Sequence, residues 1–122
     1  MPTEPLWFDK PLSSLLLPGQ PLKLDPTIHK DIHYEVEMGV VIGMRAKDVK
    51  KENVDKYIAG YFLGVDFCHR DMQAINKKDG TDWGCVAKGS NQFAAVSEYV
   101  HKSAVPNCGD VEISLSINGV ER

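Results

Sequence analysis

The stretch His33-Tyr34-Glu35-Val36-Glu37-Met38-Gly39-Val40-Val41-Ile42-Gly43 decides how this chain is read. Its aromatic and β-branched residues alternate with polar ones, the pattern of a β-strand, and it carries two carboxylates at i and i+2. Side chains two apart on a strand point to the same side of a sheet. Glu35 and Glu37 therefore share a face with His33, and Ile32, Tyr34, Val36 and Met38 share the other. Two carboxylates held that close repel each other unless a cation sits between them. An oxygen-rich site of this kind suits magnesium, calcium or manganese better than zinc. The pattern fits equally a half-exposed strand whose acids face solvent. A third acid downstream, Asp66, tips the reading toward a cation.

Asp66 lies near the end of Tyr61-Phe62-Leu63-Gly64-Val65-Asp66-Phe67, read as a second, buried strand. Between the two strands, Lys47 to Ile58 is polar with Val54, Tyr57 and Ile58 at helical spacing, so a short surface helix is expected. Arg70 to Asn76 reads as a helical turn or short helix, which Lys77-Lys78-Asp79-Gly80 breaks into a loop. Val111, Ile113, Leu115 and Ile117 alternate with Glu112, Ser114 and Ser116, giving a third strand before the hairpin signal Asn118-Gly119. Strands are thus expected at 32–42, 60–67 and 111–117. Six of the seven prolines fall in the first 26 residues, so that segment is an extended, turning chain. Leu6-Trp7-Phe8 and Leu15-Leu16-Leu17 within it are apolar enough to lie on a core or a partner.

With 122 residues the chain is at most one domain. A hydrophobic share of 43% and a charged share of 25% exclude wholesale disorder. A net charge of −3 gives no electrostatic case for nucleic acid or an anionic membrane, and no apolar run has the length of a membrane span. No secretory signal is visible at Met1-Pro2-Thr3-Glu4-Pro5. Cys68, Cys85 and Cys108 are unclustered, which argues for a reducing compartment, the cytoplasm or alternatively the mitochondrial matrix, and against a disulfide scaffold or zinc knuckle.

These residues, taken in order, resemble a known family. His33-Tyr34-Glu35-Val36-Glu37, the Gly60-Tyr61 strand reaching Asp66, Arg70-Asp71-x-Gln73 and Ala87-Lys88-Gly89 occur in the order found in fumarylacetoacetate hydrolase-like proteins. Trp7-Phe8-Asp9-Lys10-Pro11 and Ile117-Asn118-Gly119 look like the same family's flanking signatures, and the small acylpyruvase and oxaloacetate decarboxylase type is the branch resembled. The resemblance implies an α+β, mostly β fold, a mixed β-roll with short peripheral helices, here a partial catalytic domain over 1–122. It implies that Glu35, Glu37 and Asp66 are metal ligands for Mg²⁺, with Mn²⁺ or Ca²⁺ as alternatives, and that Lys88 is the catalytic lysine. Arg70 and Gln73 match substrate-binding positions; three apart, they face one way on a helix. Without that context Lys88 reads as an exposed loop lysine, and Arg70 and Gln73 as a solvated turn.

Three carboxylates around one divalent ion leave room for water and a chelating substrate, and a compact ammonium beside them suits an enolate. The implied activity is metal-dependent cleavage of a carbon–carbon bond in a 2,4-dioxo acid such as an acylpyruvate. Oxaloacetate decarboxylation or tautomerisation is the alternative, and a metal-binding remnant or subunit without turnover the non-enzymatic one. The implied partners are the dioxo acid and a second copy in a homodimer. His69 reads as incidental, and His33 either as a structural histidine or as one ordering a ligand or bound water. The family's Arg-Asn-Tyr segment with its general-base histidine and its closing Thr-Gly-Thr-Pro turn have no match here, and Asn91 stands where aspartate is usual. The chain is therefore expected to hold the metal site but not the water-activating machinery.

Overall fold

A computed structural model describes residues 3–122. The Glu-x-Glu stretch is strand β2, Ile32–Ile42, and the second apolar stretch is β3, Ile58–His69, longer than expected at both ends. The polar connection between them contains a 3₁₀ helix, Lys51–Tyr57. The leucine run supplies a two-residue strand β1, Leu15–Leu16, with Leu16 buried.

Helix α1, Arg70–Asp79, follows β3 directly. It runs through Lys77, Lys78 and Asp79, where a loop was expected. The lysines in its last turn face the negative end of the helix dipole, and Gly80 closes it in the left-handed conformation, φ 67°. A second helix, α2, Trp83–Lys88, starts at Asp82, whose side chain accepts from the Gly84 amide at 2.9 Å. Two short strands, β4 (Ala94–Val96) and β5 (Val100–His101), come next. The strands hydrogen-bond in the order β1-β4-β3-β2, with β5 also on β3. The sheet is mixed, since β1 runs parallel to β4 and β5 antiparallel to β3. A mixed sheet with a few short helices is the expected class.

The strand expected at 111–117 reduces to β6, Ser116–Ile117, which pairs with β7, Val120–Glu121, across Asn118-Gly119. Both turn residues have positive φ, 52° and 80°, as a two-residue hairpin requires. Residues 111–115 alternate correctly, but among the described residues no strand pairs with them, and Val111 and Ile113 stay exposed. Alternation specifies which face a strand would bury; pairing is what makes it a strand.

Two compact units divide the chain within β2 and β3. The first comprises residues up to Glu35 with Val65–Val96, the second Val36–Gly64 with Ser97–Arg122. The first is built around fully buried Phe93, Cys68, Ala87 and His69. In the second, Gly39 lies under the Phe62 ring, where a Cβ would overlap the ring carbons, and the Tyr99 hydroxyl donates to the Ala59 carbonyl at 2.7 Å. Among the described residues no helix is long and apolar enough to cross a membrane.

Candidate metal centre

Glu35, Glu37 and Asp66 each offer an oxygen within 4.8 Å of the others. Alternation along β2 puts the two glutamates on one side, and Asp66 sits four residues before helix α1. Asp66 is buried, Glu35 half-buried and Glu37 exposed.

Cationic nitrogens crowd this cluster. Lys88, at the end of α2, is only 3% exposed and donates to Glu35 Oε2 at 2.6 Å and to Asp66 Oδ2 at 2.5 Å. Burial works against its charge, and the hydrogen bonds to Asp66 and Glu35 outweigh burial, raising its pKa. Arg70, the first residue of α1, bonds Glu35 Oε1 with one guanidinium nitrogen and Gln73 Oε1, at 2.7 Å, with the other. Burial opposes the Glu35 charge, but the Lys88 hydrogen bond, then the Lys88, Arg70 and Lys10 charges, hold its carboxyl below the usual range. Lys88 and Arg70 thus meet the acids and Gln73 meets Arg70, whereas the alternatives required a solvated lysine and a solvated turn. Gln73 is buried.

Lys10 was not singled out by sequence beyond its place in Trp7-Phe8-Asp9-Lys10-Pro11. Its ammonium lies 2.5 Å from Asp66 Oδ1, an ion pair without hydrogen-bond geometry, and donates to the carbonyls of Lys88 at 2.7 Å and Phe93 at 2.8 Å. The signal that could have found it is the flanking motif itself. Phe8 sets its ring 5.1 Å from the Lys88 ammonium, so two residues of the motif, Phe8 and Lys10, touch the site.

The histidines divide differently. His69 is 2% exposed; its Nε2 lies 3.1 Å from Ser90 Oγ, and its ring stacks on His29 and tilts against Phe93. Its Nδ1 is buried without a partner. Burial, then the neighbouring His29, lowers its pKa against the opposing pull of Asp71, which keeps the ring neutral. It is a structural part of the first unit. His33 is more than half exposed and pairs with Asp31 at 3.3 Å. An open cavity of about 770 Å³ is lined by Ser13, Lys23, Asp25, His29, Ser90 and Gln92 among others, and by none of the acids of the cluster.

Hard, anionic oxygens in threes match a divalent cation of the magnesium or manganese kind. The oxygens of Glu35 and Asp66 pair with the cationic nitrogens of Lys10, Arg70 and Lys88, so the cluster is arranged around positive charge.

The family profile described as fumarylacetoacetate (FAA) hydrolase C-terminal matches residues 1–122. A mitochondrial oxaloacetate decarboxylase of Dictyostelium discoideum is 38% identical over 120 residues, covering 98% of this chain and 54% of that protein. A mitochondrial oxaloacetate tautomerase of Arabidopsis thaliana is 36% identical over 122 residues, with 100% and 54% covered. A crystal structure of a fumarylacetoacetate hydrolase family protein from Yersinia pestis superposes with a TM-score of 0.92 at 31% identity, covering 100% of this chain and 55% of that one. Fumarylpyruvate hydrolase from Pseudomonas aeruginosa, in complex with Mn²⁺ and pyruvate, gives 0.83 at 28% identity, covering 94% and 50%. The chain spans about half the length of the relatives it matches. It belongs to the fumarylacetoacetate hydrolase family.

Proposed function

We propose that Glu35, Glu37 and Asp66 hold a divalent metal, Mg²⁺ in the first instance and Mn²⁺ as the alternative, in an enzyme that hydrolyses a carbon–carbon bond of acylpyruvate-like 2,4-dioxo acids. The observation that carries this reading is Lys88: a buried ammonium faces Glu35 and Asp66, two of the three acids. A solved relative binds Mn²⁺ and pyruvate, the product fragment such a cleavage releases, which supports both the metal and the 2-oxo acid.

The metal would supply Lewis acidity toward the substrate's 2-oxo group. The chain's own residues do the rest. Arg70, braced by Glu35 and Gln73, spends two of its five N–H donors on them and keeps the others for a substrate carboxylate. Lys88 offers its ammonium to the oxygen on which charge collects as an enolate forms. The burial of Lys88 favours that role, since a preorganised cation needs no rearrangement during the reaction. Hydrolysis further needs a base for water, the role the resemblance gives to a histidine-bearing segment without a match in these residues.

A second reading is favoured by the names of the curated relatives, an oxaloacetate decarboxylase and an oxaloacetate tautomerase. Tautomerisation passes through the enolate of oxaloacetate, and decarboxylation releases CO2 to leave the enolate of pyruvate; both call on the same lysine and arginine, without a water nucleophile. A homodimer in the cytoplasm or, as those relatives' names suggest, the mitochondrion completes the proposal.

The test is turnover of acetylpyruvate and of oxaloacetate by the purified protein, with Mg²⁺, with Mn²⁺ and with EDTA. Chelator-sensitive acylpyruvate cleavage supports the first reading. Chelator-sensitive conversion of oxaloacetate alone moves the assignment to the second, and turnover indifferent to EDTA overturns both.

A further inference from the structure

All four carboxylate oxygens of Glu35 and Asp66 are engaged by cationic nitrogens. Arg70 takes Glu35 Oε1, Lys88 takes Glu35 Oε2 and Asp66 Oδ2, and Lys10 takes Asp66 Oδ1. A divalent ion reaching these oxygens meets positive charge already in contact with them, and at such separations like charges repel strongly in a partly buried site. Something must yield.

The three cations are not equally placed to do so. Lys88 is 3% exposed and bridges two acids, so turning it away leaves two carboxylate contacts unmade at once. Arg70 is shared between Glu35 and Gln73, and its contact with the acids is to Glu35. Lys10 touches a single carboxylate oxygen, its side chain is 19% exposed, and it holds two main-chain carbonyls, of Lys88 and Phe93. It can release Asp66 and remain hydrogen-bonded.

The geometry points to Lys10 as a resident counter-ion that Asp66 exchanges for the metal. It holds the Asp66 carboxylate in place in the metal-free protein, gives up Oδ1 as the ion arrives, and by its charge lowers the affinity of the site. It is a positioning residue. The inference rests on the reading that Glu35, Glu37 and Asp66 hold a divalent ion.

Calorimetric titration with Mn²⁺ of the wild-type protein and of the Lys10→Gln, Lys10→Arg and Asp66→Asn variants tests it. Lys10→Gln keeps a donor for the carbonyls and loses the charge. It binds Mn²⁺ roughly tenfold more tightly than wild type or better, while Lys10→Arg stays near wild type. An unchanged or weaker affinity in a Lys10→Gln protein of native far-UV circular dichroism, with Asp66→Asn still impaired, overturns the role of Lys10 and leaves the metal site standing. Absence of Mn²⁺ binding by wild type and both Lys10 variants at millimolar ion removes the metal site and this inference with it. A second measurement needs no variant to fold: in the wild-type protein the Lys10 side-chain NMR resonances move as Mg²⁺ is added, and resonances that stay fixed at saturation overturn the exchange.

Discussion

The Lys10 ammonium donates to the main-chain carbonyl of Lys88 at 2.7 Å, across 78 residues of sequence. That bond ties the proline-rich segment to the end of α2, so two lysines reach Asp66 as one assembly. The proline segment is therefore part of the site's scaffold, and the site's energetics are those of a partly buried ion cluster.

Lys88→Met deletes the ammonium between Glu35 and Asp66 and leaves the buried Asp66 short of a partner. The metal-free protein is expected to lose about 3 kcal/mol, the usual cost of removing one member of a buried pair. Urea denaturation with EDTA measures it, and added Mn²⁺ recovers part of the loss by binding the folded state.

Asp66→Asn and Glu37→Gln each remove one anionic oxygen ligand, and Mn²⁺ affinity should fall by roughly tenfold or more in either. Asp25→Asn, in an exposed acid that lines the open cavity instead, serves as the control and leaves the affinity unchanged. Equal effects at all three positions in calorimetry would mean that the ion responds to overall charge alone.

The neutral, buried His69 makes stability depend on pH. Its folded pKa lies below the ordinary value of 6.5, first because of burial and then because of His29. The unfolded chain therefore binds a proton that the folded one refuses, and stability falls as pH drops below about 6.5 toward the folded pKa. Above that range the histidine contributes no slope. Glu35, with its lowered pKa, contributes stability that is present above its ordinary 4.5 and is lost only in stronger acid. Melting temperatures at pH 7.5 and 5.5 should differ in the wild-type protein, and the difference should shrink in His69→Gln.

Phe93 is fully buried and packs against His69, His29 and Phe67 in the first unit. Phe93→Ala should cost about 3–5 kcal/mol. Because its carbonyl also accepts from Lys10, the same variant should weaken Mn²⁺ binding only slightly, since the main chain persists.

The acids were legible in the sequence for a local reason. Period-two alternation fixes Glu35 and Glu37 to one face whatever the rest of the chain does, and an acid, Asp66, near the end of the second apolar strand is a second local signal. Lys88 and Arg70 needed the family's motif order, because nothing local distinguishes a lysine that bridges two acids from one in solvent. Lys10 escaped because its partners lie far along the chain, in α2 and at Phe93. The 111–115 segment failed in the opposite way: its pattern is local, but strand formation depends on a neighbour that the pattern does not encode. The helix through Lys77 to Asp79 was missed because a charged run before a glycine serves a C-terminus as well as a loop.

Gly39 beneath the Phe62 ring carries a consequence for how this sequence can change over time. A side chain at 39 collides with the ring, and a smaller residue at 62 leaves the bare glycine backbone uncovered. Each substitution alone is harmful, yet the two together can restore contact, so their effects are not additive. Positions 39 and 62 are therefore expected to change together.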